Sequence, residues 1–396
     1  MLVASPLPAL LYLPSLVAEL FPHEVAPKKS QRMNSHEALN LLLADAGVSK
    51  IVYALVMPET EQTIDAVLDG RDTDSCEANG RESYHAMFRE AWTQKQDAVH
   101  EAFFDRWLEW TREVVALEPN DFAYRYPTSG ASEGLREAIH AYGARARVER
   151  FEPKIHVFDG EYEGYAAYAR AAAIPIVSHR RSQWQDAIAS MGATDQFYIS
   201  QPSGIDGRVW GEFDLFAGEL LRRKPTVQLM LDLSYVGCVA SDYRIDARWP
   251  NIAAVFFSLS KPAGVYYHRI GGMFSRSEYV GLFGNKWFKN LSSLRIGTEF
   301  MSRYAVRELP GKYRPHQQAA IDALHQQLGL QLQPADILLL AVAPPTSEPS
   351  ELERYLLRGP ADEALVRVCL TARIAHLIDP KLNPQVAARY YEQLQL

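Results

Sequence analysis

Between about residue 120 and residue 300, short apolar runs rich in β-branched and aromatic residues alternate with stretches of helical pattern. KIHVFDG (154–160), QFYISQPSG (196–204), TVQLMLDLSYVG (226–237) and IAAVFFSLSK (252–261) read as strands. SEGLREAIHAYGARARV (132–148) and FDLFAGELLRRK (213–224) read as helices between them. Strands that are apolar at nearly every position have both faces buried, so they belong to a mainly parallel sheet with helices on either side. In such α/β sheets ligands bind beyond the carboxyl ends of the strands. Several runs end there in polar residues: Gln201, Asp232 with Tyr235, and Ser258 with Lys261.

The flanks read differently. SHEALNLLLADAGV (35–48) has the pattern of a helix capped by Ser35 and stopped by Gly47. Residues 58–82 read as a loop or linker, because Pro58, Gly70 and Gly80 punctuate a polar, acid-rich run. Residues 83–117 are helical in composition and end near Pro119. Beyond 300, HQQAAIDALHQQLGL (316–330) reads as a helix and ADILLLAVA (335–343) as a strand. A Pro-rich loop (344–349) and the apolar run LVRVCLTARIAHLI (365–378) follow. The predicted organisation is an N-terminal arm and helical segment over 1–82, a large domain over 83–300, and a smaller α+β domain over 301–396.

Composition removes several function classes. The chain has 396 residues, 47% of them apolar, enough for a sizeable core. Its net charge of -7 leaves no basic excess to neutralise a nucleic-acid backbone. Cys76, Cys238 and Cys369 are odd in number and far apart, with no metal-binding spacing and no disulfide framework. That usage predicts a reducing compartment, the cytoplasm, with Cys238 and Cys369 as inert core thiols. The opening stretch MLVASPLPALLYLPSLVAELFPHE has no Lys or Arg ahead of its apolar residues, and Pro6, Pro8 and Pro14 interrupt it. It fits neither a signal peptide nor a spanning helix of ~20 residues; an arm packed on the body or on a second subunit suits it better.

Chemistry concentrates at the strand ends. In FFSLSKPAGVYYHRIGG (256–272) an apolar run finishes on Lys261, and Arg269 follows eight residues later. An amine titrates near 10.4 in water, so a reactive lysine needs desolvation or a neighbouring cation. Lysines so placed form Schiff bases with carbonyl cofactors, pyridoxal phosphate above all. Arg269 then serves as a bidentate phosphate clamp; a solvated loop with one Lys and one Arg reads equally well from this segment alone. TSGASEGLREAI (128–139) is a glycine-containing turn into a helix, and Ser129, Gly130, Ala131 and Ser132 could cradle a phosphate there. Ser132 is also a plain N-cap candidate, and both roles are compatible. In LMLDLSYVG (229–237) Asp232 ends an apolar strand, where a carboxylate needs a cationic or hydrogen-bonding partner. A protonated pyridine nitrogen is one such partner, and Tyr235 could donate to the oxygen on the same ring; a turn aspartate is the alternative. Tyr162 follows a strand and could stack on a planar cofactor, or lie on the surface. The amide of Gln201 could reach the ring oxygen.

Together these segments resemble the fold-type-I, aminotransferase-like family of pyridoxal-phosphate enzymes, well over 120–300 and loosely over 335–378. SLSKPAGVYYHRIGG is similar to the family's Ser-x-Ser-Lys segment. The resemblance implies a Schiff base at Lys261, a phosphate contact from Ser258 and a phosphate clamp at Arg269. DLSY resembles the family's Asp-x-x-Tyr, with Asp232 on the pyridine nitrogen and Tyr235 on the ring oxygen. TSGASEG resembles its phosphate turn, and Tyr162 falls where its stacking aromatic is expected. QPSG resembles its Asn-Pro-x-Gly, with Gln201 in place of the asparagine. LVRVCLTAR resembles the segment whose arginine grips the substrate α-carboxylate, at Arg367 or, failing that, Arg373. The family is usually homodimeric with shared sites, so KNLSSLRIGTEFM (289–301) would reach the neighbouring site through Arg295 or Thr298.

The implied activity acts on the α-amino group or Cα of an amino acid, with an aminotransferase as the first reading. A lyase, decarboxylase or side-chain-replacing enzyme of specialised metabolism is the second, favoured by Gln201. A cofactor-sensing DNA-binding regulator on the same body is the third; residues 1–80 are too apolar and too acidic for the basic domain it requires. No metal, nucleic acid or membrane is implied.

Overall fold

The computed structural model describes residues 35–69, 89, 92, 97–288, 290–360 and 362–385. The apolar opening stretch, Cys76 and the expected boundary at 82/83 lie outside the described residues. The chain divides into two units, Met1–Ala38 and Leu39–Leu396, and the architecture below belongs to the second.

Seven strands form the central sheet: β1 Tyr124–Thr128, β2 Ile155–Phe158, β3 Ile176–His179, β4 Gln196–Ser200, β5 Gln228–Asp232, β6 Ile252–Ser258 and β7 Gly271–Ser275. Their spatial order is β1-β7-β6-β5-β4-β2-β3. The strands from β6 to β3 pair in parallel, and β7 lies antiparallel between β6 and β1. This is the mainly parallel sheet that the apolar runs predict.

Successive residues of a strand point to opposite faces, and both faces here are covered. On one, Leu229, Leu231, Val255 and Phe257 pack beneath Phe103 and Trp107 of the helix Asp97–Thr111 and Phe216 of the helix Phe213–Arg223. The rings of Trp107 and Phe257 stack at 4.3 Å. On the other, Met230, Ala254, Phe256 and Met273 pack beneath Leu135 and Ile139 of the helix Ala131–Glu149 and Tyr165 of the helix Glu163–Ala171. Burying each such side chain contributes about 1.5–3 kcal/mol.

A second sheet is antiparallel, with strands Gln333–Pro334, Leu340–Ala343, Leu365–Cys369 and Leu357–Arg358 side by side in that order. The helices Glu308–Leu328 and Thr371–Ile378 pack together beside it. Among the described residues no helix is long and apolar enough to cross a membrane.

The structure corrects several expectations. Pro58–Asp69, expected within a loop, is a helix. Proline at a first helical position loses no hydrogen bond, and Glu59 and Glu61 suit the positive end of the helix dipole. The expected helix at 316–330 begins at Glu308, so Pro310 sits in its first turn, where an N–H needs no partner. Of the expected strand 335–343 only Leu340–Ala343 forms a strand, with Ile337 in an isolated antiparallel bridge to Val239. The backbone before it is satisfied otherwise: Gln317 Nε2 donates to the carbonyls of Ala335, Ile337 and Leu340, and Ile337 N donates to Gly207 O. The run 365–378 divides into a strand and a helix at Leu370. The strands β1, β3 and β7 were not anticipated.

Candidate active site

A cleft of about 260 Å³ opens where β2, β4, β5 and β6 end at their carboxyl edges. Of the residues singled out in the sequence, Ala131, Ser132, Tyr162, Asp232, Tyr235, Ser258, Lys261, Arg269 and Arg367 line it.

One end is an anion cradle. Gly130 has φ +74° and ψ 173° and starts the helix Ala131–Glu149. A Cβ on Gly130 would lie 2.9 Å from Arg269 Nη2 and 3.3 Å from Ser258 Oγ, so a side chain there would fill the space between them. Arg269 adopts the left-handed conformation, φ +52°, unusual for a residue with a side chain. It thereby turns back to donate to Ser129 O at 2.7 Å and to Ser260 Oγ at 3.4 Å. The Ser129 N–H is taken by the carboxylate of Glu133. Gly271 starts β7 hard against this turn: a Cβ there would meet Phe257 O at 2.5 Å and Gly130 Cα at 2.6 Å.

Lys261 lies three residues beyond the end of β6, and its amine donates to the carbonyl of Val52. Burial pushes that amine down to about 8, and the cations of Arg269 and Arg367 act in the same direction. Asp232, at the end of β5, is only 4% exposed. Its carboxyl accepts from Tyr165 Oη at 3.1 Å, Ser234 N at 2.9 Å and Ser234 Oγ at 2.6 Å, all neutral donors. Burial raises its pKa, against the pull of those donors. Tyr162, 41% exposed, caps the helix Glu163–Ala171 and folds back over Gly164, where a Cβ would strike its ring at 2.1 Å. Burial of the hydroxyls raises the pKa of Tyr162 and of Tyr235.

The opposite end carries cations. Arg367, on the strand Leu365–Cys369, is 4% exposed and donates through Nη1 to Gly204 O. Its Nε is buried without a hydrogen-bond partner. Burial, followed by the neighbouring Arg358, lowers the guanidinium to about 10. Arg358 also lines the cleft and pairs with Glu163.

Gln201 is set apart from the cleft. It precedes Pro202 through a cis peptide bond. Its Nε2 donates to Trp210 O at 3.0 Å and its Oε1 accepts from Trp210 N at 3.1 Å. Both ends of the amide are thus used on the backbone of Trp210, and the expected reach toward a ring oxygen is not what the structure shows. Arg295 is exposed on its helix, Thr298 Oγ1 bonds Leu294 O at 2.9 Å within that helix, and Arg373 lies on the helix Thr371–Ile378. Cys238 and Cys369 are buried free thiols.

Sequence reasoning missed Glu161, Ser200, Arg358 and the segment 51–53, all of which line the cleft, and Tyr165. Glu161 is 7% exposed and accepts from Ser200 Oγ at 2.6 Å and Ser200 N at 3.1 Å. Burial pushes its carboxyl up to about 7; nearby Asp232 adds to this, and Ser200 and Arg181 oppose it. A signal existed for it, since an acid three residues beyond a mainly apolar strand is placed at the ligand edge.

The groups present fit a phosphorylated, cationic, planar ligand: a cradle closed by an arginine, a buried carboxyl with only neutral donors, a desolvated amine, and a buried guanidinium nitrogen with no partner. No protein-family model and no curated protein matches the chain. Solved structures do. A pyridoxal-phosphate-bound C–S lyase from Staphylococcus hominis is 13% identical with a TM-score of 0.60, over 93% of this chain and 98% of that one. An aminotransferase from Staphylococcus aureus is 16% identical with a TM-score of 0.53, over 80% and 92%. An L-threonine-O-3-phosphate decarboxylase from Porphyromonas gingivalis is 15% identical with a TM-score of 0.53, over 87% and 100%. The chain therefore has the fold shared by these aminotransferase, lyase and decarboxylase structures, which is the fold of the fold-type-I pyridoxal-phosphate enzymes.

Proposed function

We propose that this protein is a pyridoxal-phosphate-dependent enzyme that acts on the α-amino group and Cα of an amino acid, as an aminotransferase. The single observation that carries the reading is the desolvated amine of Lys261 in a cleft that ends in the Gly130–Arg269 anion cradle. Ser129, Gly130, Ala131, Ser132, Ser258 and Arg269 would border the phosphate: the N–H groups of Ala131 and Ser132 at the helix start, the Ser258 hydroxyl and the Arg269 guanidinium would meet it, while the Ser129 and Gly130 N–H groups, bonded to Glu133 and to Thr128 O, shape the turn. Asp232 would balance positive charge on the pyridine nitrogen, Tyr235 would serve the ring oxygen, and Tyr162 would supply an aromatic face for the ring.

When bound, the cofactor supplies an aldehyde for the substrate amine and an electron sink for the pair left at Cα. The chain does the rest. Arg367 receives the substrate carboxylate, using the Nε that is otherwise buried without a partner. Lys261 Nζ, with its pKa lowered to about 8, holds a useful neutral fraction near neutral pH. It can take a proton from Cα and return it elsewhere. The cleft's buried walls keep water from competing for that proton.

A second reading, a lyase or decarboxylase, has support in the lyase and decarboxylase among the solved structures of this fold. We further read the chain as a cytoplasmic homodimer, with a cofactor-binding domain over 83–300 and a smaller domain over 301–396. The test is a panel of amino acids given to the cofactor-loaded protein with and without a keto-acid acceptor. Keto-acid release that depends on the acceptor supports transamination. Carbon dioxide or a released side-chain fragment without acceptor supports the second reading, and no turnover of any amino acid contradicts both.

A further inference from the structure

Two buried carboxyls line one cleft at the ends of β2 and β5, with β4 between them. Asp232 is accounted for by the reading above. Glu161 is not. It stands in the turn between β2 and the helix Glu163–Ala171, and both of its oxygens face Ser200 of β4. Ser200 is the register partner of Asp232 on β5. Ser200 Oγ also accepts from Gly204 N at 2.7 Å, so the turn after β4 is drawn toward the carboxyl. The environment of a hypothetical Cβ on Gly204 fixes what lies across from it: Ser200 Oγ at 3.4 Å, the Tyr235 ring at 3.7 Å and Glu161 Oε2 at 3.9 Å. The edge of the Tyr235 ring and Glu161 Oε2 thus both flank Gly204 in the cleft. Gln201 cannot enter it while both ends of its amide are bonded to Trp210.

Resting on the reading that this cleft takes pyridoxal phosphate, we propose that Glu161, rather than Gln201, meets the ring oxygen of the cofactor beside Tyr235. The chemistry differs from that of an amide. An amide donates a hydrogen bond at every pH. A carboxyl donates one only while neutral; once ionised it accepts, and the shared proton then stays on the ring oxygen. The groups that bear on its ionisation are Asp232 from β5, Tyr165 from the helix Glu163–Ala171, Arg181 ahead of the helix Trp184–Ser190, and Ser200 from β4. Their balance, with burial, sets the carboxyl at about 7, so it changes state within the working range of the protein. The site therefore couples the charge of the cofactor to one side chain that titrates near neutrality.

The test uses the full chain loaded with pyridoxal phosphate and follows the visible absorbance of the bound cofactor against pH. Glu161→Gln removes a negative charge and supplies a permanent donor, and both changes favour the ionised ring oxygen. The expected result is a transition moved to lower pH by about one unit. Ser200→Ala removes a donor that steadies the ionised carboxyl, so Glu161 stays neutral over a wider range and the transition moves the same way by less. This second variant keeps the test decisive should Glu161→Gln fail to fold. Gln201→Asn is expected to leave the transition where the wild type has it. The inference is overturned if the Glu161 and Ser200 variants bind the cofactor and titrate as wild type, or if Gln201→Asn alone moves the transition. The function reading fails separately, and visibly, if the wild-type chain acquires no bound-cofactor absorbance at all.

Discussion

The two ends of the cleft are built in opposite ways. At the phosphate end, Ser258, Ser260, Lys261 and Arg269 come from one continuous segment, and Ser129 to Ser132 from another. At the end formed by the turns after β2 and β4, the contacts run between residues distant in sequence: Glu161 with Ser200, Arg358 with Glu163, and Arg367 with Gly204. Local construction fixes side chains by spacing, so the grouping of Ser258, Lys261 and Arg269 could be read from one short segment. Cross-element construction leaves room for substitution, and there an amide is turned away while a carboxyl comes in.

If this contrast is right, variants at the phosphate end remove function outright and variants at the other end retune it. The largest effect is expected for Lys261→Ala. Loss of the amine removes both the cofactor's attachment point and the group that moves the Cα proton. Turnover should fall by about 10³-fold or more with an unchanged circular dichroism spectrum. Full activity in this variant would break the comparison at its strong end.

Arg269→Ala comes next. It deletes a charge-assisted contact to the phosphate, an interaction contributing about 1.5–3 kcal/mol. Equilibrium dialysis should show cofactor affinity reduced by roughly 10- to 100-fold. At the other end, Arg367→Gln should raise KM for the amino acid by about tenfold while cofactor affinity holds. A loss of cofactor affinity instead would mean that the two ends are not separate.

The last effect concerns the stability of the cofactor-free chain. Glu161 has its folded pKa raised to about 7 from an unfolded value of about 4.3. The folded state holds the extra proton between those values, so this group's contribution to stability falls as pH rises from 4.3 to 7. Glu161→Gln should therefore stabilise the cofactor-free chain above pH 7, by up to roughly 3–4 kcal/mol, with the difference vanishing near pH 4. Lys261 has the opposite slope. Its folded pKa is lowered to about 8, so the unfolded chain binds more protons between about 8 and 10.4, and stability rises with pH across that window. Denaturant midpoints measured from pH 4 to pH 10 check both slopes.

Periodicity made the parallel core legible, because strands buried on both faces leave little choice of pattern. The strands β1 and β7 were hidden: β1 contains Pro127, and β7 opens on Gly271 and Gly272, residues that ordinarily argue against a strand. Pro127 lies on the edge strand of the sheet, where it is tolerated. The glycines of β7 are demanded by close approach, since a Cβ on Gly272 would strike the Phe257 ring at 2.4 Å. Tyr162 was legible from its position after a strand. Glu161, its neighbour, carries the same positional signal, but its partners Ser200 and Gly204 are brought to it only by the sheet. Gln201 failed for the same reason in reverse, since its backbone partner Trp210 arrives only with the fold.

Whether Lys261 is the residue that carries the cofactor is tested most directly by chemistry. The purified chain is loaded with pyridoxal phosphate, reduced with borohydride, digested and sequenced by mass spectrometry. The modified peptide should be the one that spans Ser260, Lys261 and Pro262, with the added mass on Lys261. A pyridoxyl group on any other lysine, or none in a chain that is folded and saturated with cofactor, would contradict it.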